Sequence, residues 1–360
     1  MGQVHGGNVH EMARQHGVRA EAIVDFSSNI NPLGPSPRVL RALRSQLHWI
    51  SRYPELQAPG LVRDLARFHD LPEETIAVGN GSTALIYRLP GAFTPANALV
   101  LHPTFSEYER ALGLAGCQVE GVMREEADGF RPPWSRLLEE LRRGYAAVIF
   151  CNPNNPTGDL IPKAELCEFV EEAGRHGTLV IVDEAFMDFH EAESLKQEVL
   201  RQGNLIVLRS MTKCFALAGL RLGYLVAPPP LAKRLREADE PWAVSALAQI
   251  AGRESLKDRK YLQRTLALIA AERQFLLEHI ARIPGLTAFP SVANFLLLKM
   301  TRPGWDALRL QQALIQREIL IRDCSSFPGL GRLYFRIAVR GRKDNQRLLT
   351  ALQQVFEPSE

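Results

Sequence analysis

The sequence predicts an α/β protein: a large, mostly parallel sheet covered by helices, followed by a smaller α+β unit. Three observations lead there. Apolar runs without alternation, such as Ala146 to Phe150 and Leu205 to Leu208, read as strands buried on both faces. Helical patterns separate them, most clearly over Lys163 to Arg175, and that alternation builds parallel sheets. Beyond the triple proline Pro228–Pro230 the pattern becomes helical, then returns to strands at Phe295 to Leu298, Ile319 to Ile321 and Tyr334 to Val339. A chain of 360 residues is long enough for both units.

Residues 1–45 do not read as the start of a sheet. HGGN (His5 to Asn8) and DFSSNINPLGPSP (Asp25 to Pro37) are rich in turn formers, and His5, Ser28, Asn29 and Asn31 read singly as turn and cap residues. The Gly-Gly after His5 also lets backbone amides approach an anion closely. RYPE (Arg52 to Glu55) precedes a helix over Leu61 to Phe68. TIAVGNGS then gives a short strand, a Gly-Asn-Gly turn and a helix starting near Ser82, where free amides and the helix dipole can meet an anion. Many such turns bind nothing. Ala98 to Leu101 is the next buried strand and leads into HPTFSEY, whose Phe105 and Tyr108 fit either a core or a stacking platform for a planar ring.

The strand at Ala146 to Phe150 runs into CNPNNPTG, a loop stiffened by two Asn-Pro pairs. Thr178 to Val182 is a strand ending on Asp183, and a buried carboxylate there must either pair its charge or take up a proton. Leu205 to Leu208 ends in Ser210, Thr212 and Lys213, with Arg221 following between Gly219 and Gly223. Open α/β sheets bind ligands at such strand ends. Hydroxyls and a guanidinium suit a phosphate monoester, which offers several acceptor oxygens and about two negative charges. The cofactor needing both a lysine amine and a phosphate cradle is pyridoxal 5'-phosphate, held as a Schiff base, and Asp183 is a suitable partner for its pyridinium N–H.

Leu222 to Val226 closes the first sheet. From Leu231 to about Arg282 the pattern is helical, with Pro241 as a break and Pro284-Gly285 as the stop. Two further helices are expected near Trp305–Arg317 and Arg342–Phe356. Arginines Arg322, Arg336 and Arg340 stand out. Arg336 alternates with Phe335 and Ile337 and so points to the opposite face. A strand arginine is usually solvated, but one aimed into a cleft can hold a carboxylate through two parallel hydrogen bonds.

Composition narrows the class. A net charge of +3 without basic runs interleaved with aromatics gives no case for nucleic acid. No apolar stretch approaches the roughly 20 residues needed to span a bilayer, and the N-terminus has no secretory h-region. Five scattered cysteines with no CxxC pair fit reduced thiols in a cytoplasmic enzyme and no metal site.

Taken together, RYPE, GNGS, NPNNPTG, DEAF, SMTK, GLRLGY and FRIAVR resemble the fold-type-I pyridoxal-phosphate enzymes of the aspartate aminotransferase superfamily, near its histidinol-phosphate aminotransferase branch. HGGN, DFSSNINPLG and PWAVSALA (Pro241 to Ala248) are similar to the L-threonine-O-3-phosphate decarboxylases within it. The resemblance covers essentially the whole chain. It implies a seven-stranded, mostly parallel large-domain sheet. It also implies a division into an N-terminal segment (1–45) joining the small domain and substrate site, a cofactor-binding domain (46–230), connecting helices (231–282) and a small α+β domain (283–360).

The resemblance further implies roles residue by residue. Lys213 is the Schiff-base lysine, Asp183 the partner of the ring nitrogen, and Asn155 the donor to the ring hydroxyl oxygen and a substrate contact. Gly81, Ser82, Ser210, Thr212 and Arg221 hold the cofactor phosphate, Tyr108 covers the ring, and Tyr53 reaches the phosphate of a neighbouring subunit in a homodimer. His5, Gly6, Asn29, Arg322 and Arg336 bind the substrate, Arg322 its phosphate and Arg336 its carboxylate or a closely placed anion. Phe186 departs from the tyrosine common among the aminotransferases, as DEAF does in the decarboxylase branch. The implied reaction is decarboxylation of L-threonine O-3-phosphate in cobalamin biosynthesis, the alternative being histidinol-phosphate transamination with 2-oxoglutarate.

Overall fold

The computed structural model describes residues 6–93 and 97–356. Its strands, in chain order, are β1 (Val24–Asp25), β2 (Ile76–Asn80), β3 (Asn97–His102), β4 (Gln118–Met123), β5 (Ala147–Cys151), β6 (Leu179–Asp183), β7 (Leu205–Ser210) and β8 (Leu222–Val226). They continue as β9 (Leu286–Ala288), β10 (Phe295–Met300), β11 (Ile319–Leu320), β12 (Arg322–Asp323) and β13 (Tyr334–Ala338). Seven of them form one sheet in the order β2-β8-β7-β6-β5-β3-β4. Only β8 runs against the others, pairing antiparallel with both β7 and β2.

The unbroken apolar runs are explained by burial on both faces. Along β5, β6 and β7, Val148, Phe150, Val180, Val182 and Val207 enter one core cluster. Their neighbours Ala147, Ile149, Ile181, Ile206 and Leu208 enter the cluster on the opposite face. Alternate side chains thus serve two helical layers. All residues of β6 and β7 are buried, so their carboxyl ends form a rigid platform.

The second sheet is antiparallel, in the order β12-β13-β10-β9. One face, carrying Leu296, Leu298, Phe335 and Ile337, packs in a core shared with helices Arg259–Ile280 and Arg342–Phe356. The N-terminal segment joins this part of the molecule through β1, with Val24 opposite Ile319 and Asp25 opposite Leu320.

Two differences from the sequence reading have clear causes. β4 carries no apolar run because it is the sheet edge, with its middle residues only half-buried. The single strand expected over Ile319 to Ile321 is two short strands: Ile319–Leu320 pairs with β1, and Arg322–Asp323 pairs with β13. The chain changes sheets at Ile321. That change sets Arg322 beside Arg336.

Candidate active site

Strand ends of the large sheet, the N-terminal segment and β12–β13 converge on a cavity of about 570 Å³. Lys213 lies in the turn after β7. Buried Asn31 holds that turn: its backbone N–H donates to Lys213 O at 3.1 Å and its Nδ2 to Cys214 O at 2.9 Å. Asn31 reads from sequence as a turn residue, and nothing local reveals this long-range duty. The Lys213 amine is pulled down to about 8 from its usual 10.5, first by desolvation and then by Arg336 and Arg221. Its Nζ stands 5.8 Å from the centre of the Phe186 ring, so an apolar face occupies the place where a tyrosine would bring a hydroxyl.

Asp183 ends β6 and is 3% exposed. Its Oδ1 accepts from Ala185 N–H at 2.9 Å and its Oδ2 from the Tyr108 hydroxyl at 2.6 Å. Burial raises its affinity for a proton, while Tyr108, Ala185 and Lys213 oppose that rise. Tyr108, expected to cover the ring, is among the residues lining the cavity. It is fully buried in the core between sheet and helix, and its hydroxyl is committed to Asp183. Phe105, half-buried, also lines the cavity.

A second corner suits a phosphate. Helix Gly81–Arg88 starts without a side-chain cap, leaving its first amides free for a ligand. Gly81 has φ +77°, and a Cβ there would lie 2.6 Å from Arg221 Nη2. At Gly223 a Cβ would come within 2.3 Å of the Ser82 nitrogen. Only glycine at both positions lets β8, the helix start and the guanidinium approach so closely. Ser82, Thr212 and Arg221 line the cavity, and Ser210 Oγ meets Thr212 Oγ1 at 2.7 Å just behind it. A seat for a phosphate, a lysine amine, an acidic partner for a ring nitrogen and apolar walls for the ring are thus all provided, so these residues fit pyridoxal 5'-phosphate.

The third corner is the least expected physically. Arg322 and Arg336 face each other across β12 and β13, and both are nearly buried, at 7% and 5% exposure. Like charges directly opposite destabilise a sheet. Among the described residues neither forms an ion pair with a carboxylate. Arg336 donates to Asn155 Oδ1 and, at 2.9 Å, to Ser27 O, while its Nε has no partner. Arg322 donates to Ser326 Oγ at 3.0 Å and lies over the Phe327 ring. Burial lowers both guanidinium pKa values, that of Arg336 to about 10. Asn29, 2% exposed, lines the same cavity with Oδ1 unpartnered.

Most sequence-predicted site residues therefore meet. Tyr53 does not line the cavity: it is 79% exposed and stacks on Trp242 at 4.5 Å. His5 lies outside the described residues. Gly6 is required for a reason other than anion approach alone, because a Cβ there would lie 2.2 Å from Ser27 O. Ser326 and Phe327, four and five residues after Arg322, escaped the sequence reading because nothing in their pattern shows that the chain turns back onto that arginine after its short strand.

A family model described as aminotransferase class I and II matches residues 21–352. The threonine-phosphate decarboxylase of Salmonella typhimurium is 39% identical over 355 residues, covering 98% of this chain and 96% of that protein. The crystal structure of L-threonine-O-3-phosphate decarboxylase from Porphyromonas gingivalis aligns with TM-score 0.82 at 27% identity, covering 93% of this chain and 100% of that one. The structure of histidinol-phosphate aminotransferase from Sinorhizobium meliloti in complex with pyridoxal-5'-phosphate aligns with TM-score 0.87 at 25% identity, covering 99% and 95%. Matched along nearly its whole length, the chain belongs to the class I and II aminotransferase family.

Proposed function

We propose that this protein is a pyridoxal-5'-phosphate-dependent decarboxylase that converts L-threonine O-3-phosphate to (R)-1-amino-2-propanol O-2-phosphate for cobalamin biosynthesis. The observation that carries the reading is the pair of buried, facing arginines, Arg322 and Arg336, with no ion-paired carboxylate among the described residues. A substrate with an anion at each end supplies what they lack. The similarity to decarboxylases supports the same choice.

When bound, the cofactor supplies an electron sink for the pair of electrons left as a bond at the substrate α-carbon breaks. The cofactor residues are Lys213 for the aldehyde carbon, Asp183 for the ring nitrogen and Asn155 for the ring oxygen. Gly81, Ser82, Ser210, Thr212 and Arg221 take the phosphate. Arg322 holds the substrate phosphate and Arg336 its carboxylate, helped by Gly6 and Asn29. Held at both ends by Arg322 and Arg336, the substrate would be oriented so that its Cα–COO⁻ bond is the one activated when the cofactor is bound. Once CO2 has left, the Lys213 ammonium can deliver a proton to the same carbon. Its pKa near 8 leaves both protonation states accessible close to neutrality.

A homodimer with shared sites is part of this reading. Tyr53 and Trp242 stack in the open, beside exposed Trp49, Ile50 and Leu56. An apolar surface of this kind suits a second copy, with Tyr53 reaching the neighbour's cofactor phosphate. The proposed division of the chain is 1–45, 46–230, 231–282 and 283–360, with the first segment serving the small domain. Free cysteines at all five positions agree with a cytoplasmic setting. No described helix is long and apolar enough to cross a membrane.

The test is direct. Cofactor-loaded protein is mixed with O-phospho-L-threonine and CO2 is measured, while a parallel sample receives histidinol phosphate and 2-oxoglutarate and is assayed for glutamate. CO2 without glutamate is the expected result. Glutamate alone overturns the decarboxylase reading and leaves the family intact.

A further inference from the structure

We propose that Tyr108 is a positioning residue, whose phenol O–H holds the Asp183 carboxylate in place as the ionised acceptor for the cofactor's ring nitrogen. The inference rests on the proposed seat of that nitrogen against Asp183. Tyr108 stands in the first turn of helix Glu107–Leu114, and its ring is fixed in the core by Ala111, Leu112 and the apolar face of the sheet. Its hydroxyl meets Asp183 Oδ2 at 2.6 Å, while Ala185 N–H meets Oδ1 at 2.9 Å. One donor on each oxygen, from two different elements, fixes the plane of the carboxylate. Asp183 still lines the cavity, so its remaining acceptor capacity faces the ligand.

The direction of proton sharing follows. Burial pushes the Tyr108 phenol well above its usual 10, so its proton stays on oxygen and is donated to Asp183. Cys151, the cross-strand neighbour of Asp183, is pushed up to about 12 and remains a neutral thiol. A phenol donating to Oδ2 makes that oxygen less basic, which leaves the shared proton on the ring nitrogen. Without the phenol, Oδ2 becomes the better base: the N–H bond breaks, an O–H bond forms, and the nitrogen is left neutral.

The experiment loads wild type, Tyr108→Phe, Asp183→Asn and Leu112→Ala with cofactor labelled by nitrogen-15 in the ring, and records that resonance at neutral pH. Wild type is expected in the pyridinium range. Tyr108→Phe is expected to move toward neutral pyridine, with kcat down about tenfold and KM within about twofold. Leu112→Ala loosens the same helix but keeps the phenol, so its resonance should stay with wild type. A Tyr108→Phe resonance that stays pyridinium overturns the proposal, as does a Leu112→Ala shift of equal size. If Asp183→Asn also stays pyridinium, the proposed seat of the nitrogen is what fails. Should Tyr108→Phe bind cofactor poorly, a carbon-13 carboxyl titration of the apoprotein gives the answer. The Asp183 pKa must then rise relative to wild type, and no rise overturns the proposal.

Discussion

Two sets of buried arginines in this molecule are solved in opposite ways. Arg209, on β7, is fully buried and surrounded by acids: Glu184 at 3.1 Å, Asp188 at 2.8 Å and Glu191 at 2.6 Å. Ser194 Oγ lies at 3.3 Å from the same guanidinium. Among the described residues, Arg322 and Arg336 have hydrogen bonds to neutral partners only, and face each other. A buried charge costs several kcal/mol unless paired, so the first set is complete within the chain and the second is complete only with an anion. Arg209 ties β7 to the segment after β6, behind Lys213 and Asp183. The other two face the cavity.

The contrast can be broken by substitution. Arg209→Met leaves three acids uncompensated and is expected to cost about 3–5 kcal/mol of stability, measured by denaturant unfolding. A loss below about 1 kcal/mol would mean the cluster is not the structural member of the comparison. Arg336→Met should act on the other side of the ledger. It is expected to lower kcat/KM for phosphothreonine by two to three orders of magnitude, the roughly 3–4 kcal/mol lost when one partner of a buried charge pair is removed. Ligand-free stability should stay within about 1 kcal/mol of wild type, because a like-charge contact disappears together with two hydrogen bonds.

Ligand binding sharpens the same point. O-phospho-L-threonine at a hundredfold excess over its Kd should stabilise wild-type protein by about 2.7 kcal/mol, and an Arg322→Met/Arg336→Met double variant by far less. Thermal shift reports the difference, and equal shifts would remove both arginines from the substrate site.

A pH series tests the electrostatic effect of the cavity's arginines on Lys213. Arg336 and Arg221 help burial hold the Lys213 amine down to about 8. Below that pH the amine carries a proton and lacks the lone pair needed to attack an aldehyde. The rate of cofactor capture by apoprotein should therefore rise with pH and level off above about 8, read by stopped-flow absorbance. A rate still rising toward the usual lysine value of 10.5 would show that the amine is not depressed. The smallest effect is expected for Phe186→Tyr. It adds one hydroxyl beside Lys213, worth about 0.5–1.5 kcal/mol if it finds a partner, and visible as a shifted cofactor absorbance titration.

Much of the scaffold was legible in the sequence because it obeys local rules. Strands buried on both faces must be apolar throughout, so β5, β6, β7 and β8 could be read directly. Helices Lys163–Arg175 and Arg342–Phe356 have the expected limits. Lys213 and Asp183 were legible for the same reason: a charged residue at the end of an apolar run is conspicuous. β4 was not, since an edge strand needs no apolar run.

What only the tertiary structure decided is which charges and hydroxyls meet. The acids that neutralise Arg209 come from a segment up to 25 residues earlier in the chain, and no spacing rule assigns them. The sequence could place Arg336 on the face opposite Phe335 and Ile337, but not set Arg322 across from it; a change of sheets at Ile321 does that. HPTFSEY offers a single phenol, Tyr108, and nothing local could say that its hydroxyl would turn to Asp183, 75 residues further on. Local sequence determines periodicity, burial and strand ends. Partnership across the fold depends on register and docking between distant segments, where the low dielectric makes each pairing, or its absence, energetically large.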